Sequence, residues 1–214
     1  KSRLKTGQSI YDERQIVTSS NGYVHIRFDD QGLVSVRPNS RLNIEIYHYL
    51  SANPEASTVK FSLERGSVRS VSGDAAQSAR ARFRMNTPLV AIGVRGTDFV
   101  VRADQRNIQA IVNEGAIVVT PFSDQCSADT LGPCSSFNTV VLQGGSQQLL
   151  QFNPLLESPQ LLPASEAILR NQLEEGLEGS SQSSGNKANY ALYSERQANQ
   201  SLENTAVITE VTAA

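Results

Sequence analysis

The sequence is poor in the residues that usually dominate a core. Among 214 residues there is no Trp and one Met, and aromatic residues make up 6% of the chain. A core must therefore come from Val, Ile, Leu and a few Phe. Apolar runs such as residues 89–92 are far shorter than the roughly 18 residues of a membrane helix, so we expect no transmembrane segment in this chain. Because it begins at Lys1 without an initiator Met, we expect a processed or trimmed form.

Charge and catalytic patterns are also lacking. The formal net charge of −2 creates no global field toward nucleic acid or an anionic membrane. The sequence shows no paired acid and base, no nucleophile motif and no phosphate-binding loop. His25 and His48 lie far in sequence from the cysteines, which argues against a metal frame. We therefore predict a protein that is not an enzyme and uses no cofactor and no metal.

Only two cysteines are present, Cys126 and Cys134, in a polar, turn-rich segment. Their spacing favours a local disulfide, which would indicate an oxidising compartment. A pair of free thiols is the main alternative. A metal site is a weaker one, since two sulfurs supply too few ligands.

Most of residues 1–150 alternates with period two. In one segment Val24, Ile26 and Phe28 fall on one face, while His25 and Arg27 fall on the other. The same alternation recurs in further short segments that are separated by Gly, Asn, Asp and Ser: residues 34–36, 41–46, 59–64, 80–85, 108–112, 116–119 and 139–142. This pattern predicts an all-β body of short strands.

A weak repeat of Gly-x-Val or Gly-x-Ile opens four of these segments, at Gly22, Gly32, Gly66 and Gly115. The spacing is too uneven for a strict solenoid. It is typical of a rolled or coiled sheet in which glycines turn the corners.

The composition changes after residue 150, so we divide the chain into three parts. Residues 1–150 are the β domain, residues 151–178 are a proline-broken segment with a short helix predicted over 165–175, and residues 179–214 are a linker and tail. The tail is mostly irregular by prediction. Residues 187–214 would form a weak helix or fold against a partner.

Three arginines, Arg80, Arg82 and Arg84, alternate with apolar residues in one predicted strand. On a common strand face they could bind an anionic partner such as a glycan, a lipid head group or an acidic protein surface. The alternative is a solvated face that protects an edge strand from unwanted pairing.

The segment that begins at residue 83 has a recognisable motif. After Phe83, the motif residues are Thr87, Pro88, Gly93, Val94, Arg95, Gly96, Thr97, Asp98 and Phe99. Together with the upstream frame Leu63-x2-Gly66-x-Val68 and Glu114-Gly115-x-Ile117 downstream, this motif strongly resembles the hallmark of FecR domains. The resemblance covers roughly residues 1–150.

This resemblance implies a bacterial, exported, periplasmic or secreted protein, because FecR domains lie outside the inner membrane. Well-known members relay a receptor's state to a sigma factor, but their cytoplasmic and transmembrane parts are not visible here. We therefore expect a non-enzymatic accessory or structural subunit of an envelope assembly that binds protein partners, including a second copy of itself. The alternatives are the periplasmic sensor of a FecR-type anti-sigma regulator and a glycan- or peptidoglycan-binding module.

The interruption at residues 95–98 admits two interpretations. In the structural one, Gly96 relieves a bend between two strands, and Arg95 pairs with Asp98 across it. In the chemical one, which the resemblance suggests, the Thr97 hydroxyl attacks the Gly96 carbonyl and the chain cleaves itself once. That reaction would require a strained peptide and a stabilised oxyanion.

Overall fold

The computed structural model of the chain describes residues 3–164 and the backbone of residues 206–211. In these residues there are fourteen β-strands, one short α-helix and two single turns of 3-10 helix, so the predicted all-β fold is confirmed. The strands curl into a nearly closed, barrel-like sheet.

The first half of the chain contributes the strands β1 (Arg14–Val17), β2 (Tyr23–Phe28), β3 (Leu33–Val36), β4 (Arg41–His48) and β5 (Thr58–Val71). A 3-10 turn (Pro54–Ala56) precedes β5, and the helix α1 (Asp74–Ser78) and a second 3-10 turn (Arg80–Arg82) follow it. The remaining strands are β6 (Phe83–Asn86), β7 (Val90–Val94), β8 (Asp98–Ala103), β9 (Ile108–Glu114), β10 (Ala116–Pro121), β11 (Val140–Gln143), β12 (Gln148–Phe152), β13 (Gln160–Pro163) and β14 (Ala206–Val211).

The period-two pattern gives the buried face of β2 and of the first part of β4 correctly, but not that of β6, where all four residues are buried. In β2 the side chains of Val24, Ile26 and Phe28 are buried, while Arg27 is exposed. In β4 the buried positions again alternate, at Leu42 and Ile44, until a register shift after Ile44 places Tyr47 in the core instead of Ile46. One face of each of these two strands therefore contributes to a common core.

Two groups of strands are joined through the 14-residue strand β5. Its first half pairs with β4 on one side and with β6 on the other. Its second half pairs with β3 and β8. We call the strands on the second half sheet 1 (β14, β2, β3, β8, β9, β12 and β13) and those on the first half sheet 2 (β1, β4, β6, β7, β10 and β11).

The two sheets face each other across one hydrophobic core. Phe28 of sheet 1 lies with its ring centroid 4.7 Å from Tyr47 of β4 and 5.5 Å from Phe61 of β5. Phe61 in turn meets Phe83 of β6 edge-on at 6.0 Å. These few aromatic rings fill the space between the sheets, and the aliphatic side chains around them complete the core.

Strand β5 passes from sheet 2 to sheet 1 at Gly66. This residue has φ +97°, and an added Cβ would lie 2.4 Å from Ser40 Cα. Ser40 sits where the chain crosses from β3 to β4, and its hydroxyl accepts a 2.9 Å hydrogen bond from the Ser67 amide. Since this contact leaves no room for a side chain, Gly66 is needed both for its conformation and for the close approach of the two crossings.

The sheet continues past the predicted domain boundary at residue 150. Strand β12 spans that boundary, pairs with β9 and is followed by β13. In the tail, β14 pairs in parallel with β2, where a weak helix was predicted. The predicted helix over 165–175 and the linker over 179–186 lie outside the described residues.

Candidate functional site

The motif segment over residues 87–99 carries the chain from one sheet to the other. Strand β7 belongs to sheet 2, between β6 and β10, whereas β8 belongs to sheet 1, between β5 and β9. The residues that interrupt the apolar pattern, 95–97, form the corner between these strands. The interruption is therefore a crossing between sheets and not a bulge within one strand.

Glycines of three successive crossings are stacked at this edge. Gly96 has φ +64° and Gly115, between β9 and β10, has φ +74°. An added Cβ on Gly115 would lie 1.9 Å from the Gly96 carbonyl oxygen, and the Gly115 carbonyl accepts a 2.8 Å hydrogen bond from the Gly144 amide. The registers of β5 with β6 and β8 place this stack at the opposite edge from Gly66. The two edges together close the barrel-like sheet.

Gly93 and Thr87 have roles at the start of the motif. An added Cβ on Gly93 would lie 2.7 Å from Cβ of Pro133, so the loop that carries Pro133 rests directly on β7. The Thr87 hydroxyl accepts a 3.0 Å hydrogen bond from the Val90 amide and so closes the turn between β6 and β7. Both residues are explained by local packing.

Thr97 is buried and ties the corner to the end of β5. Its amide donates to the Ser72 hydroxyl at 3.0 Å, and the Ser72 amide donates to the Thr97 carbonyl at 2.8 Å. The two hydroxyl oxygens are 3.3 Å apart. This reciprocal arrangement satisfies the polar groups of a corner that would otherwise be buried without partners.

Asp98 pairs with Arg69 of β5, so the predicted pairing with Arg95 is wrong. Arg69 donates two hydrogen bonds, from Nε to Oδ1 at 2.8 Å and from Nη2 to Oδ2 at 2.7 Å. Asn113 Nδ2 adds a third at 3.2 Å. Arg95 is exposed, although its backbone helps to form the corner.

The surroundings of Gly96 and Thr97 bear on the self-cleavage hypothesis. The attacking Thr97 hydroxyl would need a base, and its hydrogen-bond neighbour in the described residues is another alcohol, Ser72. The Gly96 carbonyl oxygen lies against Gly115. The arrangement thus favours the structural interpretation of the corner, and cleavage stays an untested hypothesis.

A buried carboxylate anchors the segment that lies beside this corner. Asp30 accepts hydrogen bonds from the Gly32 amide, the Tyr47 hydroxyl and the Ala75 amide at 3.0, 3.1 and 3.2 Å. Burial raises the pKa of the Asp30 carboxyl, and these three donors oppose the rise. Burial and the Asp30 charge raise the pKa of Tyr47, which therefore stays a donor at neutral pH. No local sequence signal marks Asp30, because its partners on β4 and α1 lie 17 and 45 residues further along the chain.

The cysteines form the predicted disulfide, Cys126–Cys134, and the alternatives of free thiols and a metal site are excluded for this pair. The loop over 126–134 covers β6. Arg84 of β6 is fully buried beneath it and donates to the carbonyls of Gly132 and Ser127. Burial lowers the pKa of the Arg84 guanidinium.

The three arginines of the predicted stripe do not share a strand face. Arg80 and Arg82 belong to the 3-10 turn that precedes β6, and only Arg84 is in the strand. Arg82 donates from Nε to the Ser57 carbonyl at 3.2 Å. The prediction of a common anion-binding face is therefore wrong, because the backbone is helical at two of the positions and the third lies under a loop.

The described residues show no cluster of three or more His, Cys, Asp or Glu that could hold a metal ion. His25 lies 2.8 Å from the Ser35 hydroxyl through Nδ1, and burial and the nearby Arg37 lower its pKa. Among helices in the described part of the chain, none is long and apolar enough to cross a membrane.

Comparison with known proteins gives one family match. Residues 14–118 match the model of the family described as FecR protein. Two crystal structures, at 1.65 and 2.50 Å resolution, of a protein named as a candidate anti-sigma factor from Parabacteroides distasonis are similar in fold. Each has a TM-score of 0.52 and 13% sequence identity, and the match covers 77% of this chain and 66% of the other. This chain thus spans just under two thirds of the length of that protein. No curated protein matches the chain.

The pairing of Asp98 predicts a difference between two substitutions. Replacing Asp98 with Ala removes two charge-assisted hydrogen bonds from a half-buried guanidinium and should lower the free energy of unfolding by about 2 kcal/mol. Replacing the exposed Arg95 with Ala should change it by less than about 0.5 kcal/mol. Urea unfolding of both variants measures this, and equal losses would contradict the assigned pairing.

The hydrogen bonding of Thr97 predicts that the purified chain stays whole. Intact-mass measurement under denaturing conditions should give a single species. Fragments that end at residue 96 and begin at residue 97 would contradict this prediction. If such fragments appeared, their loss in Thr97→Ala would identify the hydroxyl as the attacking group.

Proposed function

Since this chain carries a FecR domain over residues 14–118 and so belongs to that family, we propose that it is the extracytoplasmic sensor part of a FecR-type anti-sigma regulator. It binds another envelope protein and passes that protein's state to a transcriptional switch. The observation that carries this proposal is the family match, which spans both sheets from β1 into β10.

Members of this family are regulators and not enzymes, so the function of the chain is to be sought in binding. The fold suits such a role. Its motif residues are used for packing and hydrogen bonding at a crossing between sheets, which leaves the surface of the body free for protein contacts.

The disulfide supports a place outside the cytoplasm. A covalent bond between Cys126 and Cys134 persists in oxidising compartments and is rare in the cytosol. A sensor of this family works on the outer side of the inner membrane, where a partner receptor is accessible. The proposed location is therefore the periplasm.

Two exposed apolar side chains are candidate contact points for the partner. Phe137, in the loop before β11, is 90% exposed, and Leu155, between β12 and β13, is 95% exposed. Exposed large apolar side chains are often found at protein-binding sites, although isolated ones also occur on ordinary protein surfaces. The partner is a protein, and its identity is open.

The accessory-subunit hypothesis differs from this proposal in one measurable respect, because a structural subunit has no effect on transcription. In the source bacterium, deletion of the gene should change the expression of a set of genes that share one promoter sequence. RNA sequencing measures this change. Unchanged transcription together with a defect in an envelope assembly would favour the accessory subunit and contradict the sensor.

Two glycine variants test whether the β body carries the regulation. Gly115→Ala places a Cβ 1.9 Å from the Gly96 carbonyl oxygen and should behave as the deletion does. Gly7→Ala is the matched control, because Gly7 also has a positive φ, of +76°, and its added Cβ meets nothing within 4 Å. The gene that carries Gly7→Ala should restore normal transcription.

A further inference from the structure

Arg84 is a buried cation that has no counter-ion among the residues that the structure describes. Its side chain is 0% exposed, and the salt bridges in the described part of the chain join other residues: Arg41–Glu64, Lys60–Glu45 and Arg69–Asp98. The oxygen acceptors of the guanidinium are neutral, namely Asn86 Oδ1 and the carbonyls of Gly132 and Ser127. A buried charge that has only neutral partners is unfavourable, and any nearby group that could become an anion would relieve it.

Two such groups are in contact with it. Arg84 Nη1 lies 3.2 Å from Cys134 Sγ, and Nη2 lies 3.7 Å from Cys126 Sγ. A disulfide sulfur is neutral and only a weak acceptor, whereas a thiolate carries a full negative charge. Reduction of the disulfide would therefore give Arg84 the counter-ion that it lacks. The guanidinium must stabilise the reduced form relative to the oxidised one, as a neighbouring cation does in oxidising disulfides.

The loop is held in place by contacts other than the disulfide. Besides the two carbonyls bound by Arg84, Asn86 Nδ2 donates to the Ala128 carbonyl at 2.8 Å, and Thr120 Oγ1 donates to the Cys134 carbonyl at 3.2 Å. Pro133 rests on Gly93. Because none of these contacts is made by the S–S bond itself, we expect the sulfur atoms to stay beside the guanidinium after reduction, where they could form the bond again.

The two sulfurs differ in access. Cys126 is 1% exposed, while Cys134 is half-buried at the end of the loop. An external thiolate can therefore reach Cys134 more readily, and the leaving sulfur is that of Cys126, which lies 3.7 Å from Arg84 Nη2. Attack at the accessible sulfur with a stabilised leaving group is the favourable geometry for exchange.

We propose that Cys126–Cys134 is a redox-active disulfide that exchanges with dithiol reductants, and that Arg84 promotes the exchange as its positioning and charge-stabilising residue. One thiolate of the reductant attacks Cys134 Sγ, the Cys126–Cys134 bond breaks, and its electron pair stays on Cys126 as a thiolate. The second thiol of the reductant ionises to a thiolate and attacks the reductant sulfur that is now bonded to Cys134 Sγ. The bond to Cys134 breaks, and the released Cys134 sulfur takes up a proton. The dithiol is oxidised to a disulfide, the chain gains two electrons, and the other thiol proton passes to solvent.

The first test is the equilibrium of the intact chain with mixtures of reduced and oxidised dithiothreitol, read by alkylation and mass spectrometry. Arg84→Met removes the charge, and we expect its disulfide to be at least about tenfold harder to reduce, which corresponds to about 30 mV. Arg84→Lys keeps a charge and should fall between Arg84→Met and the unmodified chain. Arg82→Met is the matched control and should equal the unmodified chain, because Arg82 donates to Ser57 and Thr58 instead. Equal equilibria for Arg84→Met and the unmodified chain would overturn the proposal.

The second test does not depend on the folding of an Arg84 variant. In Cys134→Ser the single thiol of Cys126 remains beside Arg84, and its ionisation can be followed by thiolate absorbance against pH. Burial alone would raise the pKa of this thiol above the ordinary value of about 8.5, whereas the guanidinium would lower it. We expect a pKa more than one unit below that of the same variant unfolded in urea. A value equal to or above that of the unfolded variant would overturn the proposal.

Discussion

The close approach of Gly66 to Ser40 is the contact on which the rest of the fold depends. Strand β5 is long enough to belong to both sheets, and it changes from one to the other at Gly66. With a side chain at that position the backbone could not meet the β3-to-β4 crossing at Ser40. If the strand did not turn there, the two sheets could not face each other, and Phe28, Phe61 and Tyr47 would not meet in one core.

The same constraint explains the family motif at the opposite edge. Gly96 and Gly115 are corners of successive crossings that touch through the Gly96 carbonyl oxygen. Thr97 ties its corner to Ser72, and Asp98 ties the next strand to Arg69. The motif thus closes the sheet, and the hydrogen bonds of Thr97 and Asp98 satisfy buried donors and acceptors at its corner. The binding role that we propose for the chain would therefore use residues on the surface of this body.

How much the sequence predicted depends on the range of the interactions. Alternation along β2 and the glycine at residue 66 are local signals, and the buried faces and the corner that they predict are present. The partner of Asp98 lies 29 residues away in the chain, and the loop that covers Arg84 is more than 40 residues away. The alternation of apolar residues with Arg80, Arg82 and Arg84 therefore suggested an exposed row of arginines. In the structure, a loop that is distant in sequence buries Arg84. The pairing of β14 with β2 was not predicted for the same reason, because it joins strands from opposite ends of the chain.

Two alanine substitutions measure how much the contact at Gly66 contributes to the stability of the fold. Gly66→Ala and Gly145→Ala both place a side chain at a positive φ, of +97° and +73°, but only at Gly66 does the added Cβ meet backbone atoms. Gly145→Ala should lower the free energy of unfolding by about 1 kcal/mol, the conformational cost alone. Gly66→Ala should lower it by at least about 2 kcal/mol more, because the two crossings must move apart. Equal losses in urea unfolding would show that the sheets do not depend on this contact.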